Sequence, residues 1–209
     1  MRVFIDLSSN NDPRNFTQVK RDGVVGGWVK VGGGGETHAG SLYLHGNFHP
    51  WASRMRSAGL RVGGYWFAVP SLNDARIQAR QFAKALGRIE RRDLRPVLDF
   101  EKNLYGLSQS QLEAWAHTFC QEVKLATGVG PLYYSYASFL YPDRPIGYGY
   151  WIANYDDPNP AAPRPWKKLV AHQYPSRGSV AGINGAVDLT RRKSKTIRPL
   201  LAHPVTGLV

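Results

Sequence analysis

A single cysteine, Cys120, is all the thiol this 209-residue chain contains. That excludes an intramolecular disulfide and leaves too few thiolates for a structural zinc site, so the fold must rest on packing. Cys120 lies on a helical stretch and reads as a small buried side chain. Long apolar runs are also missing. The opening MRVFIDLSS enters a short strand-like run without the longer apolar stretch and cleavage site of a signal peptide, and no segment has the length of a membrane span. Synthesis in the cytoplasm, with no membrane insertion, is the expectation. Acidic residues are scarce as well, 15 against 27 Lys and Arg, for a formal charge of +12. Such a balance attracts polyanions, whether nucleic acid, a membrane surface or an anionic cell wall. Part of the excess has a local reading: Arg76, Arg80, Lys84 and Arg88 recur every four residues opposite Ala75, Ala79, Phe82, Ala83 and Leu86, the pattern of a solvated outer helix face.

What is present suffices for one sizeable core, with 43% hydrophobic residues over a length that fits a single α/β barrel. Eight apolar, β-branched and aromatic runs predict strands: Val3–Leu7, Trp28–Val31, Val62–Ala68, Pro96–Phe100, Leu132–Tyr136, Tyr150–Ala153, Leu169–Gln173 and Ala186–Leu189. Helical patterns lie between the early ones. They cover Asn47–Ala58, then Leu72–Leu86 with Ser71 and Asp74 before it and Gly87 after, then Leu112–Ala126 with Ser108, Gln111 and Gly128 as start and stop signals. After Ser138 the spacers shorten and fill with Pro and Gly, so the last strands are expected to be joined by loops. An irregular TIM-like βα barrel in one domain follows, over residues 1–190, with 191–209 as a basic tail or linker. A monomer is expected.

Asp99 and Glu101, in "RPVLDFEKN", fall one residue apart at the end of the fourth predicted strand. In an extended strand they share one face while Leu98 and Phe100 take the other. Two acids that close, partly desolvated, hold their protons unequally and suit acid/base work. In a βα barrel the active site forms at the C-terminal ends of the strands. Asp6 ends the first predicted strand and Asp188 the last, and those two strands close the barrel side by side, so four carboxylates converge on one mouth. Tyr65, Tyr134, Trp151, Asn154 and Gln173 end other strands at that rim, with flat faces and amides that suit sugar binding. Asp93, just before the fourth strand, lies away from the mouth and its conversion to Asn is expected to be near silent.

These residues resemble glycoside hydrolase family 25, the lysozymes of phage and bacteria. The resemblance runs from residue 3 to about residue 191 through "FIDLSSNN", "AGLRVGGYWFA", "PVLDFE" and "AHQYPSRGSVAGINGAVDLTR". It implies a barrel of five βα units followed by three strands, (β/α)5(β)3. It also implies that Glu101 is the proton donor, Asp99 its partner, and Asp6 and Asp188 the flanking acids. His172 stands where the family commonly has Trp, and Thr190 where it commonly has Asn. The implied activity is cleavage of the β-1,4 bond between N-acetylmuramic acid and N-acetylglucosamine in bacterial peptidoglycan, for phage-type host lysis or wall remodelling. The enzyme would act on the wall after release from the cell, with anionic wall polymers as further partners and no cofactor or metal.

Other readings explain less. A family 18 chitinase carries D-x-x-D-x-D-x-E, but the corresponding positions here are Leu94, Val97, Asp99 and Glu101. A catalytically inactive glycan-binding barrel would not need the acidic quartet, and in a nucleic-acid-binding protein four converging acids would repel phosphate. His45 and His49 with nearby His38 lack the Glu of H-E-x-x-H, position 46 being Gly. The run "GGGGET" at 32–37 lacks the G-K-[ST] of a phosphate loop and reads as a flexible connection. Once Glu101 protonates the glycosidic oxygen, the oxocarbenium-like centre needs a nucleophilic carboxylate, a base-activated water or the sugar's own acetamido oxygen. Asp99 suits the last, holding the acetamido N–H.

Overall fold

Eight strands close on themselves in the computed structural model, which describes residues 3–34, 42–71, 74–90, 93–174 and 178–202. They are β1 (Val3–Leu7), β2 (Val24–Gly34), β3 (Arg61–Phe67), β4 (Val97–Asp99), β5 (Leu132–Tyr136), β6 (Tyr150–Ala153), β7 (Leu169–Gln173) and β8 (Asp188–Arg192). Neighbours from β1 through β7 pair parallel. β8 pairs antiparallel with both β7 and β1, which closes the ring. Among the described residues four helices cover the first half: α1 (Phe16–Arg21), α2 (Phe48–Ser57), α3 (Ala75–Leu86) and α4 (Gln109–Thr127). The fold is a single-domain, irregular TIM-like barrel, as the sequence predicts.

Besides the length of β2, which runs from Val24 to Gly34 instead of Trp28–Val31 and takes Gly32 and Gly33 of the predicted flexible connection into the sheet opposite Trp66 and Phe67, three details differ from the prediction. No fifth helix follows β5: residues 137–149 form turns, where Pro142, Pro145 and Gly147 break helical continuity. This loop is tied instead to the start of α4, where Gln109 Oε1 accepts the Tyr141 N–H at 3.2 Å and Glu113 Oε2 the Asp143 N–H at 3.2 Å. The second difference is the start of α3. Asp74 occupies the cap position without capping, because its carboxylate accepts the buried indole N–H of Trp115 at 2.6 Å and the Gln78 amide at 2.6 Å. It thereby ties α3 to α4, a partner that a buried tryptophan needs. Leu72 itself lies outside the described residues. Third, the last strand starts at Asp188 rather than ending just after it, because Val187 is taken by a separate bridge to Gly178. The capping box of Ser108 and Gln111 and the left-handed Gly128 that ends α4 are as predicted.

The apolar residues form two layers. Outside the strands, Phe82, Phe100, Trp115 and Phe119 stack between barrel and helices, and Cys120 is buried beside them, its thiol held protonated by desolvation. Inside, Phe4, Trp28, Tyr134 and Trp151 fill the barrel, with the Trp28 and Trp151 rings 4.4 Å apart. Gly63 is required there: any Cβ would strike the Trp28 ring. Arg76, Arg80, Lys84 and Arg88 are all exposed.

The C-terminal segment is part of the barrel. The boundary drawn at 191 falls inside β8, and Leu200, fully buried, plugs the end opposite the mouth. Its carbonyl accepts the Arg95 N–H at 2.8 Å, and the Ala202 N–H donates to Asp93 O at 2.9 Å. Residues 203–209 lie outside the described residues. Asp93 is therefore not a surface acid. It is buried and paired twice with Arg56, Nε–Oδ1 3.2 Å and Nη2–Oδ2 2.8 Å, while Oδ2 also accepts the Glu90 N–H. Asp93→Asn is expected to leave catalysis near wild type but to cost about 1.5–3 kcal/mol for the lost charge-assisted bonds. A thermal melt should show Tm lower by roughly 3–12 °C, and an unchanged melt would show that this pair contributes nothing.

Candidate active site

The alternation along β4 sets the site. Val97 and Asp99 face the barrel interior, whereas Leu98 and Phe100 enter the outer layer. The ladder continues past the strand: Ala68 N–H donates to Asp99 O, Phe100 N–H to Tyr134 O, both at 2.9 Å, and Ser135 Oγ to Phe100 O at 2.6 Å. Glu101 is thereby held on the same side as Asp99, at the rim. Asp6 arrives from β1 and faces Asp188 directly in the β1–β8 register. Because β8 runs antiparallel, its first residue lies at the same end as the last residues of β1. Asp188 therefore reaches the mouth from the start of its strand, not the end.

All four carboxylates line one cleft of about 670 Å³ at the C-terminal ends of the parallel strands. Burial, then the neighbouring Asp188, raises the proton affinity of Asp6 well above that of a free carboxyl. Burial also raises Asp188, opposed by a hydrogen bond that Asp6 donates to it. The two carboxyls therefore titrate as a pair that keeps a proton above the usual carboxylate range, with Asp6 the more strongly raised of the two. Gln173 fixes the arrangement. Its Oε1 accepts the hydroxyls of Tyr134 and Tyr155, each at 2.7 Å, so its Nε2 donates to Asp6 Oδ2 at 3.0 Å. Burial pushes the phenols of Tyr65, Tyr134 and Tyr136 up, so all three stay neutral. Tyr136 donates to Glu101.

Of the five aromatic and amide side chains expected at the rim, Tyr65, Tyr134, Trp151 and Gln173 line the cleft. Asn154 does not. Its side-chain oxygen accepts the N–H groups of Asp156 and Asp157, at 3.2 and 2.9 Å, and serves the turn after β6. Its carbonyl accepts from His172 Nε2 at 2.7 Å. His172 and Thr190, the two departures from the family pattern, are buried off the cleft.

The sequence reading passed over Lys30, Tyr43, Tyr136 and Tyr155, which also line the cleft. Lys30 gave a signal, a charge inside the apolar run Trp28–Val31. It is 5% exposed, with Nζ 4.5 Å from the Phe67 ring centre and 5.4 Å from that of Tyr43. Tyr155 lies in the Pro-rich loop after β6, where no periodicity points to it. Among the described residues no group of three or more His, Cys, Asp or Glu is placed to hold a metal ion, and His38 lies outside them. No helix among them is long and apolar enough to cross a membrane.

The chain is similar to solved lysozyme structures. A bacterial lysozyme from Streptomyces coelicolor superposes with a TM-score of 0.81 at 26% identity, covering 94% of each chain. A family GH25 lysozyme from Aspergillus fumigatus gives 0.79 at 27%, covering 97% of this chain and 99% of that one. The Clostridium perfringens spore cortex lytic enzyme SleM gives 0.79 at 27%, covering 96% and 69%. The uncharacterized protein YegX of Escherichia coli is 34% identical over 140 residues, 64% of this chain and 48% of YegX. The chain thus spans about half the length of the curated relatives it matches. The model of the glycosyl hydrolases family 25 matches residues 5–183, and with the carboxylates of β1, β4 and β8 gathered at one barrel mouth, the chain belongs to that family.

Proposed function

We propose that this chain is an N-acetylmuramidase that hydrolyses the β-1,4 bond between N-acetylmuramic acid and N-acetylglucosamine in bacterial peptidoglycan. The observation that carries the reading is the cleft itself, in which Asp99 and Glu101 share a face opposite the proton-sharing pair Asp6 and Asp188. Glu101 protonates the glycosidic oxygen, with the Tyr136 hydroxyl on its carboxylate to fix its orientation. Asp99 holds the acetamido N–H of the sugar, whose carbonyl oxygen attacks the anomeric carbon. Water then opens that intermediate and returns a proton to Glu101. The charge on Asp188 stabilises the oxocarbenium-like centre. Tyr65, Tyr134 and Trp151, with Lys30 beside them, bind the glycan. All four acids come from one chain, in keeping with action as a monomer.

The bond cut is tested by its products. Borohydride reduction of a digest should yield muramitol, with no anhydro-muramic product and no new amino termini, read by mass spectrometry. Glucosaminitol would move the activity to a glucosaminidase, anhydro ends to a transglycosylase, and released peptides to a different bond altogether.

A further inference from the structure

Among the described residues no helix longer than one 3-10 turn follows β5, so the outward face of β7 and β8 has no helix of its own to cover it. In a barrel of this kind that face would normally be apolar. Here Leu169 and Leu189 still pack toward the outer apolar layer, but the rest of the face is cationic. Gln173 and Thr190 pair across the two strands, and Gln173 points into the mouth, so the next pair, His172 and Arg191, points outward. Lys193, two residues on, shares the face of Arg191, with its N–H on Val170 O at 3.0 Å. Lys167 and Lys168, exposed, precede β7, and exposed Lys195 follows β8 at the same end.

The row is built rather than scattered. Buried His172 gives its Nε2–H to Asn154 O, which leaves Nδ1 to accept from Arg191 Nε at 3.3 Å and Nη2 at 3.2 Å. The guanidinium also lies over the Tyr174 ring, 5.1 Å from its centre. Arg191 is thus fixed from below, close enough to Lys193 to depress that amine's proton affinity after burial has done so, with Asp157 opposing. Like charges held together in this way are relieved by an anion. Alternate residues of extended backbone recur about 6.7 Å apart, which sets the spacing of Arg191 and Lys193. Lys167, Lys168 and Lys195 extend the cationic patch beyond them at the same end, a spread that suits the repeated charges of a chain better than a single small anion. Tyr174 lies under Arg191 instead of standing open for a base to stack on.

We infer that the outward face of β7 and β8 docks a linear phosphodiester polymer of the bacterial wall, holding it alongside the barrel while the mouth works on the glycan. The choice of a wall polymer rests on the muramidase reading. The test uses the whole chain and end-labelled poly(glycerol phosphate), with affinity measured by fluorescence anisotropy across a salt series. Lys168→Glu, Lys193→Glu and Lys195→Glu together should weaken binding at least ~10-fold and reduce the salt slope by about 2–3. Arg76→Glu, Arg80→Glu and Lys84→Glu on α3, the same change in net charge, should leave affinity within about twofold and the slope unchanged. Equal losses from both sets, or none from the first, would overturn the inference, as would duplex DNA binding as tightly at equal phosphate concentration. Should a charge reversal fail to fold, Gln at the same positions carries the comparison at half the charge change. Cleavage of a short soluble wall glycan should be the same for wild type and both variants. Failure of the wild type to cleave it would refute the muramidase reading by itself, whatever the polymer does.

Discussion

Glu101→Gln leaves the fold intact and lowers the rate of glycan cleavage by at least ~10²-fold, the scale of a missing general acid. The amide keeps the size of the carboxyl, and its Oε1 still accepts the Tyr136 hydroxyl, so the side chain stays where it is. The backbone around it is held independently, by Phe100 N–H on Tyr134 O and Ser135 Oγ on Phe100 O. What Gln cannot do is give up a proton to the leaving oxygen. The melt should match wild type within about 2 °C, less than the loss of one ordinary hydrogen bond would produce. Asp93→Asn should show the reverse pattern, a lower melt with normal turnover, so the two variants together separate the mouth from the floor of the barrel. Retained lysis by Glu101→Gln would remove Glu101 from the mechanism.

The parts that were legible in the sequence are those where one local signal suffices. Alternation in Val97–Glu101 placed Asp99 and Glu101 together because strand geometry is fixed by the backbone. Leu132–Tyr136, Tyr150–Ala153 and Leu169–Gln173 are readable to the residue because each is a short apolar or aromatic run with a sharp start, after Pro131, Gly149 and Lys168. What escaped depends on contacts across the chain. Asp93 reads like any acid before a strand until Arg56, 37 positions earlier, folds against it. Asn154 sits at the end of β6 as a rim residue should, but its amide oxygen satisfies the next turn, a local competition that Asn wins often. The start of β8 escapes for a related reason: the Val187 bridge to Gly178 takes Val187 out of the strand, and nothing in "GAVDLTRR" announces it. Asp188 still lines the mouth, because an antiparallel strand brings its start to where parallel strands bring their ends.

Asp6 and Asp188, alike in the sequence, are expected to respond differently to the same substitution. Asp6 is the more strongly raised of the pair and lies on the donor side of its hydrogen bond with Asp188, while its Oδ2 accepts from Gln173. Asn at position 6 reproduces that pattern, with its oxygen toward Gln173 and its amide N–H toward Asp188, so activity should survive in part. Asn at position 188 removes the one charge the pair holds across from Glu101, and the rate should fall by about 10²-fold or more, as when a stabilising charge at a developing cation is lost. Stability should separate them too. The folded state holds Asp6 protonated above the pH at which the unfolded chain releases that proton. The stability this contributes is therefore complete at low pH and lost as pH rises through the elevated folded value. Asp6→Asn has no proton to lose. Its melt should match wild type near pH 4 and exceed it increasingly toward pH 8, by roughly 2–4 °C for each kcal/mol of repulsion relieved. Melts across that range, with turnover measured on a short glycan, read both effects. A wild-type melt that gains on Asp6→Asn as pH rises would show that both carboxyls are ionised in the fold and that the proton assigned to Asp6 is not there.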